Sequence, residues 1–390
     1  MLVDRVEGTS PTRPAGHVCY AHTLAECPWA ASRAPRNPAL CTAFRPVRHA
    51  GSARTQWLAP VATPGGAACA WRSATAPCRQ RHGAGVRAAH MQLDVTPGSY
   101  VAIVTPMKDS GEVDEGALRG LLRWHLESGT TGIVALGTTG EASMMDMGER
   151  ETVLRVTNEE VGGKLPIVAG TSSVNYRVVL EQTRQAASLG ASAALVVTPS
   201  YVKPTQPGLV KFFEKVADEG SLPVVLYNVP GRTAVDMLPN TVGKLASHPN
   251  IVAIKEATGK VERVAELKAV CPEGFLLYSG DDKTGMEFVL DGGHGVVSVT
   301  ANVCPAEMAQ LMERCLAGDR QAAEGINSKL DVLHNNLFVQ SNPIPTKYAL
   351  TRMGRVPERG IRLPLLPLEP EFEGKVDAAL AEAGCLQAIA

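Results

Sequence analysis

Between residues 100 and 300 the chain repeats one pattern: a short run of apolar, largely β-branched residues, closed off by Gly, Pro or polar positions. The runs are YVAIVTP from Tyr100, GIVALG from Gly132, PIVAG from Pro166, AALVVTP from Ala193, PVVLYN from Pro223, IVAIKEAT from Ile251, FLLYSG from Phe275 and GVVSVT from Gly295. They start roughly 20 to 34 residues apart, and intervals such as 174–189 and 208–219 space their apolar residues as a helix does. Strands apolar on both faces belong to a parallel sheet covered by helices. Eight such units in residues 96–318 predict an α/β protein with a (β/α)8 barrel, whose site lies at the C-terminal ends of the strands. A doubly wound sheet would place a Gly-rich phosphate loop after its first strand, whereas here that strand ends Thr105-Pro106-Met107. Beyond the eighth run the pattern is helical only, over 305–316, 319–338, 347–353 and 374–386, with Pro343 and Pro345 as interruptions. Residues 319–390 are therefore read as a C-terminal helical domain.

The first 95 residues follow other rules. Residues 1–93 hold eleven arginines, no lysine and three acids (Asp4, Glu7, Glu26), with Ala, Pro, Gly and Thr filling much of the rest. Such composition buries no core and reads as a disordered leader, of the Arg-rich, acid-poor kind found in organelle targeting segments. Two acids near its start and little serine leave an overextended gene model as the other reading. The formal charge of the whole chain is −1, so the leader hides an acidic remainder, and nothing points to nucleic acid. No apolar run of membrane-spanning length occurs. Five of the nine cysteines sit in the leader; Cys271, Cys304, Cys315 and Cys385 are left, without a C-x-x-C pair, and are expected as reduced thiols binding no zinc.

Polar chemistry collects at the ends of the strands. The sixth run carries Lys255 in apolar surroundings, where desolvation favours the neutral amine, a nucleophile toward carbonyls. The bland alternative is a lysine paired with Glu256. The second run ends in Gly137-Thr138-Thr139-Gly140-Glu141, a turn with backbone N–H groups and two hydroxyls suited to a carboxylate. The fourth run leads to Tyr201 and the fifth ends at Tyr227, phenols that can pass a proton. An amine, a carboxylate cradle and phenols on one rim suit an imine made from a small 2-oxo acid.

GTTGEA at Gly137, TPSYVKPTQPG at Thr198, YNVPGRT at Tyr227, IKEATG at Ile254 and GVVSVTANV at Gly295 resemble the motifs of the dihydrodipicolinate synthases, members of the pyruvate-dependent class I aldolase superfamily. The similarity runs from about Ser99 to the C-terminus and takes in Asn342-Pro-Ile-Pro-Thr-Lys347 and Arg362-Leu-Pro364. The resemblance implies a lyase that condenses pyruvate with L-aspartate 4-semialdehyde to 4-hydroxy-tetrahydrodipicolinate, the first committed step of lysine biosynthesis by the diaminopimelate route. It implies no metal and no organic cofactor. By the same resemblance Lys255 forms the imine, and Thr138 and Thr139 hold the pyruvate carboxylate. The Thr139 hydroxyl links Tyr227 to Tyr201, which reaches in from a neighbouring subunit. Arg232 binds the semialdehyde carboxylate, and carbonyls of Gly280 and Val297 complete the pocket. A homotetramer built as a dimer of tight dimers is implied, and a plastid location for the leader, with mitochondrion second.

Lys255, Tyr227 and the G-x-x-G-E turn are shared with sialic acid and sugar-acid lyases, so Arg232 and Thr138 carry the choice of a small charged aldehyde over a polyol. A non-catalytic oxo-acid-binding barrel would lack one of Lys255, Tyr227 or Arg232, and all three are present. One part of the family pattern is broken. Positions that bind lysine at the dimer interface of regulated members correspond to Ala142, Ser143, Met147, Arg150, Val174, Val178 and Ser200. Val178 offers no carboxylate to an ammonium group, so weak or absent feedback by lysine is expected.

Overall fold

The computed structural model describes residues 94–386, and the leader lies outside them. Eight parallel strands close a barrel in chain order: β1 Gly98–Ala102, β2 Gly132–Ala135, β3 Ile167–Gly170, β4 Ala193–Val197, β5 Val224–Asn228, β6 Ile251–Glu256, β7 Leu276–Ser279 and β8 Gly295–Ser298. Closure is made by β8 against β1, with Gly98, Ser99, Tyr100 and Val101 opposite Gly295, Val296, Val297 and Ser298. β2 to β8 fall within their apolar runs, while β1 starts two residues ahead of its run at Gly98; a strand buried on both faces has no polar alternation to blur its limits.

The helices alternate with the strands as α1 Glu115–Glu127, α2 Met147–Val161, α3 Tyr176–Ser188, α4 Gln206–Glu219, the single turn α5 Pro230–Thr233, α6 Pro239–Ala246, α7 Arg263–Lys268 and α8 Asp282–Leu290. After β8 follow α9 Pro305–Leu316, α10 Arg320–Asn336, α11 Ile344–Arg352 and α12 Pro370–Glu382. Helix starts are written in the sequence: Asp114 accepts from Ala117 N, and Asp146 with Glu149 forms a capping box ahead of α2. Two helices start earlier than expected. α11 begins at Ile344 and α12 at Pro370, because Pro345 and Pro370 fall in first turns, where a missing N–H costs nothing.

The strands divide the core by the alternation of their side chains. Outward residues such as Val101, Ile133, Leu226 and Ile254 pack under the helices, while Tyr100, Val134, Leu195, Val225, Ala253, Tyr278 and Val297 fill the barrel. At the N-terminal end the rings of Tyr100 and Tyr278 meet edge to face at 5.3 Å, and the Tyr278 hydroxyl donates to the Thr96 carbonyl at 2.7 Å. β2 starts with glycine for this reason, since a Cβ at Gly132 would lie 2.1 Å from the Tyr100 ring. The barrel is thus plugged below, and open space is left at the rim above.

One expectation is overturned. Cys304, just ahead of α9, is joined to Cys385, just past α12, as a disulfide across 81 residues, while Cys271 and Cys315 are free. No local spacing signals this pair, because it exists only once the last helix folds back onto the barrel.

Candidate active site

Six of the eight site residues inferred from sequence line one cavity of about 190 Å³ at the C-terminal rim: Thr138, Thr139, Tyr227, Arg232, Lys255 and Gly280. Lys255 on β6 is opposite Tyr227 on β5, so the register turns both side chains into the barrel. The lysine is only 6% exposed, and its Nζ stands 4.5 Å from the centre of the Tyr227 ring. Among the described residues it makes no hydrogen bond and no ion pair. Glu256, one position on, faces outward and accepts from Asn228 Nδ2 at 3.0 Å and Thr258 N at 2.8 Å. Burial pushes its carboxyl above the usual carboxylate range, against the pull of those two donors. The pairing of Lys255 with Glu256 is therefore excluded by the alternation of the strand.

The turn after β2 is held in place from several sides. Leu136 and Glu141 both take left-handed backbone, φ 58° each, which folds the intervening residues back over the rim. Gly140 N donates to Gly137 O and Glu141 N to Thr138 O, each at 3.1 Å, and the Thr105 hydroxyl donates to Gly140 O at 2.9 Å. The backbone N–H groups of Thr138 and Thr139 donate to nothing among the described residues, so they face the cavity as a cradle for an anion. Below the turn, Glu141 forms a buried ion pair with Lys347 and accepts from Arg362 N at 3.0 Å. Lys347 Nζ also donates to Gly360 O at 2.8 Å, and burial pulls its amine below the ordinary lysine range although Glu141 opposes this. Lys347 on α11 and Arg362 in the segment between α11 and α12 thus brace the turn, a role invisible in sequence because the partners lie about 200 residues apart.

Arg232 is exposed on the one-turn α5 that follows β5, at the mouth of the cavity. Its loop is pinned through Asn228, whose Nδ2 donates to Asp236 Oδ1 at 2.8 Å and whose Oδ1 accepts from Met237 N at 2.9 Å. Asp236 in turn pairs with Arg263 at 2.7 Å. Gly280 is needed for room: a Cβ there would sit 2.7 Å from Lys255 Cε and from Ala257 Cβ. Val297 lies in the layer of side chains below the cavity, and Val299 provides the lining on that side. Tyr201 is 93% exposed with φ 68° and lies outside this lining, so within one chain the Thr139 hydroxyl does not join the two tyrosines. The described partner of the Thr139 hydroxyl is Asn342, a cavity residue to which sequence reasoning assigned no role.

A second cavity of about 430 Å³ adjoins the first and shares Gly137, Thr138, Leu195 and Tyr227 with it. Ser143, Arg150, Val174, Val178 and Ser200 line it, and Met147 does not. Arg150 is its one charged lining residue, 2% exposed, with Nε lacking a partner. Among the described residues no group of three or more His, Cys, Asp or Glu could hold a metal ion, and no helix is long and apolar enough to cross a membrane.

The profile of the dihydrodipicolinate synthetase family matches residues 96–383. This chain belongs to that family. Among curated members, a 4-hydroxy-tetrahydrodipicolinate synthase of Methylococcus capsulatus is 51% identical over 289 residues, covering 74% of this chain and 99% of that protein. A solved dihydrodipicolinate synthase of Acinetobacter baumannii, described as chloride inhibited and complexed with pyruvate, superposes with a TM-score of 0.73 at 46% identity, over 75% of this chain and all of the other. A family member from Cyanidioschyzon merolae, solved with lysine bound, gives a TM-score of 0.71 at 36% identity over 75% of this chain and 100% of that one. The dihydrodipicolinate synthetase match begins at residue 96, just ahead of β1, and leaves the leader outside.

Proposed function

We propose that this chain is a 4-hydroxy-tetrahydrodipicolinate synthase, a lyase joining pyruvate to L-aspartate 4-semialdehyde. The observation that carries the reading is the Lys255 amine, buried and without an ion-pair or hydrogen-bond partner among the described residues, in one cavity with Tyr227 and the threonine turn. Pyruvate enters with its carboxylate on Thr138 and Thr139, which brings its ketone carbon to the amine. Attack by Nζ forms a carbinolamine, loss of water gives the imine, and removal of a methyl proton gives the enamine. The enamine carbon attacks the aldehyde carbon of the second substrate, whose oxygen takes up a proton. The amino group of that substrate then displaces Lys255 by transimination as the ring closes. Tyr227 moves protons in these steps, and Arg232 takes the semialdehyde carboxylate in a two-pronged fit that a lysine would not offer.

Exposure and left-handed backbone at Tyr201 support its reaching into a neighbouring copy, with Thr139, Tyr227 and Tyr201 as one relay in a dimer of dimers. The leader's composition supports import into a plastid stroma. Borohydride added with pyruvate tests the central step. A pyruvyl mass on the peptide carrying Lys255, absent in Lys255→Ala, is the expected result; an adduct elsewhere, or none, would overturn the proposal.

A further inference from the structure

Cys304 and Cys385 close their bond away from the reaction at Lys255: the cavity that Cys385 lines, of about 430 Å³, shares no residue with the catalytic one. Trp124, Glu307, Met353, Arg355 and Gly384 lie in the same wall. We propose that this bond is a reversible clasp, a site of thiol–disulfide exchange opened by a dithiol reductant that enters the cavity and attacks Cys385.

Exchange needs one sulfur that can be reached and a partner sulfur that leaves well. The two demands fall on different cysteines. Cys385 is half-buried at the cavity wall, whereas Cys304 is 2% exposed and closed to attack. Cys304 holds the N-cap position of α9, a helix of 12 residues. No side chain caps that end and Pro305 takes the first position, so the N–H groups of Ala306 and Glu307 have no partner among the described residues. A thiolate released at Cys304 is met by those donors and by the positive end of the helix, which makes it the better leaving group. The Glu307 side chain in the first turn works against this, and Arg355, stacked 4.1 Å above the Trp124 ring in the same wall, supplies the opposite charge. The first reductant thiolate bonds to Cys385 Sγ as the S–S bond breaks and its electron pair goes to Cys304 Sγ. The second reductant thiol then displaces Cys385, and the two cysteines take up the two protons that the reductant gives. Two electrons have moved, and the reductant is left as a disulfide.

Opening the clasp frees the end of α12 and spares the catalytic wall. Val299, which lines the catalytic cavity, and Thr300 donate their backbone N–H groups to Asp282 at 2.9 and 3.0 Å, and Asn302 Oδ1 accepts from Val104 N at 3.0 Å. These bonds hold the segment ahead of Cys304 by themselves. The link spans 81 residues, so what reduction removes is chiefly a constraint on the unfolded chain.

Dithiothreitol followed by iodoacetamide on the folded full chain, read by peptide mass mapping, tests the exchange. Cys304 and Cys385 should be alkylated together after the reductant and spared without it. Melting temperature should fall by roughly 5 °C or more, with kcat kept within about twofold, and oxidised glutathione should restore it. Thioredoxin with its second cysteine replaced by serine should be captured on Cys385 as a mixed disulfide. Cys304→Ser should melt lower from the outset and show no response to dithiothreitol. Alkylation of both cysteines without reductant, a bond that opens only once the chain unfolds, or capture on Cys304 overturns the proposal.

Discussion

At the scale of single residues, the chemistry depends on what is kept away from Lys255 as much as on what is near it. Strand alternation sends Glu256 outward to Asn228 and Thr258, which leaves the amine without a counter-ion among the described residues. Gly280 clears the space beside its stem. Gly280→Ala should therefore displace the amine from its seat over the Tyr227 ring. Misplacement by about 1 Å can cost about 100-fold in rate, and a loss of that order in the trapped pyruvyl adduct and in turnover is expected, with circular dichroism unchanged. Wild-type turnover in that variant would mean the seat is not tight. Lys255, Tyr227, Thr138, Thr139 and Arg232 were legible because each stands at a strand end or in the loop beyond it, and strand ends can be counted. Asn342 was not, since what marks it is a contact with a residue 203 positions earlier.

At the scale of elements, α1 carries a titration built into the fold. His125 on its inner face is fully buried, with Nδ1 beside the Thr130 hydroxyl at 3.0 Å and Nε2 lacking a partner. Desolvation pushes its pKa down to about 3. An unfolded histidine titrates near ~6.5, so the folded value is depressed. Its contribution to stability is whole above that pH and is lost as pH falls toward about 3, where the unfolded state binds a proton that the folded state refuses. Unfolding free energy measured against pH should fall less steeply in His125→Gln than in the unmodified chain over this window, by up to about 1.4 kcal/mol per pH unit. Equal slopes would mean the ring is protonated in the folded protein. The helix limits illustrate how far local signals reach: capping residues mark the starts of α1 and α2, yet Pro345, read as an interruption, lies in the first turn of α11.

For the whole molecule, the proposed relay would need a second copy, because Tyr201 is exposed in a single chain. Val174 and Val202 are exposed beside the same rim, at 52% and 61%. Dilution that splits the proposed dimer should lower specific activity steeply, and monomers verified by sedimentation that turn over at the undiluted rate would remove Tyr201 from the proposed relay. The adjoining cavity makes a separate claim. Its lining holds Arg150 and no carboxylate, so the ammonium groups of free lysine meet a cation in place of an acid. Millimolar lysine should leave the rate unchanged within about twofold, on the ground that an unpaired buried charge is strongly disfavoured. Inhibition at micromolar lysine would show that another group binds it.

The eightfold alternation of apolar runs with helical intervals determined the barrel, because a strand buried on both faces and a helix buried on one have different periods that any stretch of chain displays by itself. The same periodicity placed the amine, the threonine turn and the Tyr227 phenol on one rim. What needed the folded chain were the pairings between distant segments: Asn342 with Thr139, Lys347 with Glu141, Cys304 with Cys385. Such contacts depend on how the last helices return across the barrel, and geometry of that kind leaves no trace in local composition or spacing.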